Sequence, residues 1–129
     1  MYQITEEYLT GIPFIDEEHT YLFELAEEVY QLLQRDYFYD KYDQIVAVFV
    51  ELQKYTEKHF KDEEVYMESI DYPALFIQRA QHKLFVKKLE EINEEGFEEN
   101  QDDKIREMLT FLTDWLYNHI MKLDKLIGH

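Results

Sequence analysis

Cysteine is missing altogether from these 129 residues, which excludes disulfides and thiolate metal ligands and leaves the compartment open. Glycine occurs only three times and proline twice, too seldom to punctuate many short strands, so long helices are favoured. Basic residues are also scarce, 13 against 29 acidic, for a net charge of -16. A surface of that sign repels phosphates, which argues against nucleic acid and against anionic membranes. No apolar run reaches the length needed to span a bilayer. The acidic opening MYQITEEYLTG lacks the apolar stretch of a secretory signal, so a soluble cytoplasmic protein is expected. What is present is core material. Hydrophobic residues make up 46% and aromatics 16%, enough for one domain over residues 1–129 with a buried interior.

Four segments carry helical periodicity. The first follows GIPFID, where Asp16 is placed to cap the helix and Ile15 to staple it, and runs to about Arg35. The second covers roughly Asp40 to Ser69, ending before IDYP. The third starts at Pro73, a favoured first helical residue, and fades near Glu95 and Gly96. The fourth begins near Asp103 and continues almost to Gly128. EEINEEGFEENQDDK reads as a solvated loop. The aromatic stretch DYFYDKYD, with Tyr37, Phe38, Tyr39 and Tyr42, reads as packing across a bundle end. Four helices with short connections predict an all-α, up-down-up-down four-helix bundle.

At about 100° per residue, one face of the second helix holds Ile45, Val48, Phe49, Leu52, Thr56, Phe60 and Met67. His59 and Glu63 fall on that face. Glu51, Lys54, Glu57, Lys58, Lys61, Asp62, Glu64 and Glu68 fall on the other. The first helix aligns His19 with Leu22, Phe23, Ala26, Tyr30 and Leu33. The third aligns His82 with Leu75, Phe85, Val86 and Leu89, and the fourth aligns His119 with Ile105, Met108, Leu112, Trp115 and Leu126. His129 reads as a solvated terminus.

One inward histidine is ordinary core furniture, but one from each of four helices, with a buried glutamate, demands compensation. Carboxylates and imidazoles on facing helices are how bundles build iron and manganese sites. Asp124 follows His119 by five, which a regular helix turns about 140° away. It is therefore either a surface residue beside Lys122 and Lys125 or an inward one carried round by a π-bulge.

These residues resemble the hemerythrins in their bacterial single-domain form. GIPFIDEEH is similar to the family's opening segment, HFKDEEVYM to its His-Phe-x-x-Glu-Glu-x-x-Met helix, followed by Tyr72-Pro73. HKLF is similar to the His-x-x-Phe of the third helix, and HIMKLD to the closing His-Ile-x-x-x-Asp. The resemblance spans nearly the whole chain. It implies a four-helix bundle holding two non-haem iron ions, oxo- or hydroxo-bridged, that bind dioxygen. Carried over by residue, it makes His19 and His59 ligands of one iron and His82 and His119 ligands of the other. Glu63 and Asp124 become the bridging carboxylates, which favours the π-bulge for Asp124. The family's further histidine, one turn before His82, is replaced by Gln78. Gln78 would bind the metal weakly through its carbonyl oxygen, hydrogen-bond a water in that place, or mark a degraded second position. Where the family has tryptophan before the glycine, this chain has Ile4.

The function this implies is reversible dioxygen binding, as carrier, store or scavenger, rather than catalysis. The alternatives are a di-iron enzyme reducing oxygen or peroxide with a reductase or other electron donor, and a sensor acting through a separate partner. Paired Glu-x-x-His motifs of the ferritin type do not occur.

Overall fold

The structure, a computed structural model, describes residues 2–35 and 40–128. The bundle consists of α1 (Pro13–Gln34), α2 (Tyr42–Ser69), α3 (Leu75–Glu95) and α4 (Gln101–Trp115). Beyond Trp115, α4 continues as a π-turn over Leu116–Met121 and a 3-10 turn over Asp124–Gly128. No strand occurs among the described residues, and none of their helices is long and apolar enough to cross a membrane. Helix α1 packs against both α2 and α4, and α2 packs against α3. The α3–α4 side is closed by Phe85, which meets Phe111 and Trp115 with ring centroids 4.7 Å from each.

The inward faces hold their expected apolar residues, with Tyr30, Leu33, Leu75, Val86 and Trp115 only half-buried at the rims. Leu126 departs from the expectation. It is 55% exposed and Ile127 is buried instead. The π-turn inserts one residue into the helix, so the side chains after it are shifted by one position relative to a regular helix. That same rotation turns Asp124 inward.

Local capping also differs from the expected scheme. Asp16 lies inside α1, whose N-cap is Ile12 with Pro13 following. Its carboxylate accepts from the Thr10 backbone N–H at 2.8 Å, the Thr10 hydroxyl at 2.8 Å and the Gly11 N–H at 3.1 Å. Asp16 therefore organises the turn leading into the helix rather than the helix's own first amides. Gly11 makes that turn at φ +85, a conformation costly for residues with a Cβ. Helix α3 starts two residues after Pro73, because Tyr72 to Ala74 form a turn whose carbonyls accept from Leu75 and Gln78.

The acidic stretch before α4 is not wholly solvated. Ile92 and Phe97 are buried, and Phe97 packs on Phe49 with centroids 5.2 Å apart. Tyr37, Phe38, Tyr39 and His129 lie outside the described residues, and Tyr42 is an exposed residue at the start of α2. Beside it, Lys41 is fully buried. Its ammonium donates to Asp102 at 2.6 Å and to the Arg35 carbonyl at 3.3 Å, tying the α1–α2 connection to α4. Lys41→Met keeps the aliphatic stem but strands both acceptors, so it should cost about 2–3 kcal/mol in urea unfolding of the metal-free chain. An unchanged midpoint would show that Lys41 packs only as a hydrocarbon.

Candidate metal centre

The ligand-type side chains reach the centre from every helix of the bundle. His19 comes from α1, His59 and Glu63 from α2, Gln78 and His82 from α3, and His119 and Asp124 from the π-turn and the turn after it. All seven are buried. Their donor atoms fall into two overlapping groups. His19, His59, Glu63 and Asp124 form one, Glu63, His82, His119 and Asp124 the other, with the donor atoms of each within 4.8 Å of one another.

The two carboxylates divide their oxygens between these groups. Glu63 Oε2 lies 3.2 Å from His19 Nε2 and 3.3 Å from His59 Nε2, while its Oε1 lies 3.1 Å from His82 Nε2. Asp124 Oδ2 lies 3.1 Å from His19 Nε2, and its Oδ1 lies 3.1 Å from His119 Nε2. Several of these atoms have no hydrogen-bond partner despite the short separations: His59, His82 and His119 Nε2, Glu63 Oε1 and Asp124 Oδ2. These atoms crowd together, within 4.8 Å in each group, without forming aligned hydrogen bonds among themselves. Buried polar atoms left in this state are costly without a further partner. Nitrogen and oxygen donors without sulfur suit iron, manganese or zinc, so the residues present fit a pair of such ions.

Electrostatics of the metal-free chain tell the same story. Burial pushes the Glu63 carboxyl upward, but His59, His19 and His82 around it outweigh burial and hold it well below the usual carboxylate range. Asp124 is likewise lowered: burial and the Glu63 charge act upward, and His119 and His19 prevail. Burial opposes protonation of His59, yet Glu63, Glu18 and Asp124 push it up to about 10. The buried acids thus favour protons on His59 and His19 when no cation is there to balance them.

Gln78 sits at the edge of the second group. Its Nε2 donates to Asp124 Oδ1 at 3.0 Å, and its Oε1 is buried without a partner. The amide orientation follows from chemistry, since a carboxylate only accepts and must face the NH₂ side. Aromatic plates wall this half of the centre. Phe60 stacks on His82 at 4.0 Å and 7°, and Trp115 on His119 at 3.9 Å and 11°.

The hemerythrin HHE cation binding domain model matches residues 10–128. The chain belongs to the hemerythrin family. Among curated relatives, a bacteriohemerythrin of Clostridium acetobutylicum is 42% identical over 125 residues, covering 97% of each chain. One from Pseudomonas aeruginosa (strain PAO1) is 30% identical over 117 residues, covering 89% of this chain and 71% of that one. A third, from Methylococcus capsulatus, is 26% identical over 122 residues, covering 95% and 89%. The hemerythrin segments seen in the sequence are those that the bundle brings to its centre.

Periodicity missed a further row of residues behind the imidazoles. His59 Nδ1 meets Glu18 at 2.8 Å, His82 Nδ1 meets Glu64 at 2.7 Å and His119 Nδ1 meets Gln81 at 3.0 Å. Glu64, placed by the helical wheel on the outer face, is on the flank, one quarter exposed. The available signal was adjacency: each of these three stands next to a ligand-type residue in the chain.

Proposed function

We propose that this hemerythrin-family chain is a non-haem di-iron protein that binds dioxygen reversibly. His19 and His59 would hold one iron and His82 and His119 the other, with Glu63 and Asp124 spanning both. The observation that carries this reading is the division of each buried carboxylate, one oxygen toward each histidine pair. Iron, when bound, supplies the reversible electron exchange with dioxygen that no side chain here can provide. The chain's own part is to fix the donors, neutralise the charge and keep water away. Leu22 and Phe23, one turn along α1 from His19, are buried, as is Phe60 beside His59, and the stacked rings hold His82 and His119 in orientation.

Anaerobic loading with ferrous iron, gel filtration, elemental analysis and visible spectra before and after air test this. Two irons per chain and an absorption band that appears with oxygen and fades on its removal are expected. One ion or none, with no response to air, overturns the reading.

Gln78 is the distinguishing feature. Its Nε2 steadies Asp124 and its free Oε1 is either a weak oxygen donor or the holder of a water, where the family's pattern has imidazole. Ligand identity and the surrounding hydrogen bonds tune a bound metal. The oxygen-induced band of Gln78→His should therefore outlast that of the wild type several-fold in stopped-flow mixing. Equal lifetimes would mean that Gln78 has no bearing on oxygen release. Glutamine at 78 in place of the family's histidine favours a second reading, an oxygen- or peroxide-reducing enzyme served by an electron donor. Sustained oxygen consumption with a reductase, rather than stoichiometric uptake, would select it.

A further inference from the structure

The three braces behind the imidazoles follow the chain. Glu18 on α1 holds His59 on α2, Glu64 on α2 holds His82 on α3, and Gln81 on α3 holds His119 after α4. A residue next to an inward ligand is turned about 100° along the helix surface, onto the flank that faces the neighbouring helix. Helices α1, α2 and α3 thus each contribute a donor to the cluster and orient a donor of the next element. The ring is open between α4 and α1, where His19 Nδ1 has no hydrogen-bond partner. Because carboxylate and amide oxygens only accept, each braced imidazole donates through Nδ1, which leaves Nε2 as the atom available to a metal.

The braces are unequal. Two are carboxylates, and the third is a neutral amide, which makes a hydrogen bond roughly half as strong. In the second half of the cluster Gln81, behind His119, and Gln78 are both uncharged, so Glu64, behind His82, is the anionic brace of that half. From the flank Glu64 also reaches the surface. It lines a groove of about 540 Å³ between α2 and α3, and its Oε1 accepts from Arg79 Nε at 3.3 Å.

We propose that Glu64 is a positioning residue for the second metal position, setting through His82 how tightly that ion is held and at what potential it is reduced. The inference rests on reading the cluster as a metal pair. An imidazole whose Nδ1 proton leans on a carboxylate is a richer donor at Nε2, and losing such a brace typically costs 10–100-fold in metal affinity.

The test loads wild type, Glu64→Gln, Glu64→Asp and Glu68→Gln anaerobically with Co²⁺ and titrates each with a chelator, counting ions per chain. Glu64→Gln keeps the side-chain size and an acceptor oxygen but loses the charge. It should release one of two ions at roughly 10–100-fold lower chelator and keep the other. Glu64→Asp should recover part of the loss, and Glu68→Gln, in the same groove but against no imidazole, should match wild type. With iron in place, the reduction potential of Glu64→Gln should move upward, a change that a purely structural role would not produce. A Glu64→Gln release curve and potential equal to wild type overturn the proposal while leaving the metal pair intact. A wild type that takes up fewer than two ions overturns the metal pair itself, and this inference with it.

Discussion

Neither metal position should survive in a Glu63→Gln variant: after loading and gel filtration against a weak chelator, elemental analysis should find the chain essentially metal-free. Glu63 is the residue of α2 that faces both histidine pairs, Oε2 toward His19 and His59 and Oε1 toward His82. The substitution removes an anionic donor from both positions in one step. The loss should exceed the 10–100-fold typical of a brace residue, because Glu63 would touch the ions directly. Unfolding does not supply the same result. Removing one partner of a buried ion pair ordinarily costs about 3–5 kcal/mol, since it strands the other charge. Here the stranded partner is His59, which can release its proton once Glu63 no longer pushes it up to about 10. The metal-free variant should therefore melt within a few degrees of the metal-free wild type while failing to load. Retention of one ion would show that Asp124 and a histidine pair suffice without Glu63.

What the sequence disclosed about this centre, and what it hid, divides along one physical line. The wheel at about 100° per residue sorts side chains as inward or outward, and for deeply inward positions that is enough. His19, His59, Glu63, His82 and His119 all lie buried where the periodicity placed them. Beyond His119 the regular wheel loses phase. Asp124 needed the π-turn to come inward, and Leu126, placed on the inward stripe by the same regular spacing, is outside with Ile127 in its stead. The resemblance favoured the turn for Asp124. Applied to Leu126, the same one-residue shift would have predicted the exchange.

Flank residues were invisible for a different reason. Glu18, Glu64 and Gln81 are neither inward nor outward, and their role depends on which helix stands beside them, a tertiary fact. Lys41 was hidden by its chemistry. A charged side chain defaults to the surface unless a partner is known, and Asp102 is 61 residues away. Phe97 sits among acids that mark a solvated loop, yet the loop is short enough to return this ring onto Phe49. In each case the missing information was a contact distant in sequence, whereas everything periodic was local.

Loading the metal-free chain should release protons, and the apparent affinity for the pair should climb roughly 10- to 100-fold per pH unit near neutrality, tenfold for each proton displaced. The sign follows from the imidazoles. Burial works against protonation of His59, but Glu63, Glu18 and Asp124 raise it to about 10. His19 is moved the same way, burial again opposing and Asp124 and Glu63 prevailing. At pH 7.5 His59 therefore carries a proton in the metal-free chain, and a cation must displace it to reach Nε2.

The folded-state values lie above the ordinary histidine value, so the stabilisation these protons bring is complete below about pH 6.5 and is lost as pH rises toward 10. Glu63 and Asp124 have the opposite sign. Their lowered values stabilise the fold above the ordinary carboxylate range and cease to do so on acidification. In the loaded chain the ions take over the protons' role, which removes the alkaline loss and steepens the acid one, where protons compete with metal for the same atoms. Thermal melts of both forms from pH 5 to 10, with proton release followed in weak buffer during Co²⁺ addition, measure each half of this cycle. Fewer than one proton per chain would mean that the buried acids are balanced by some other charge.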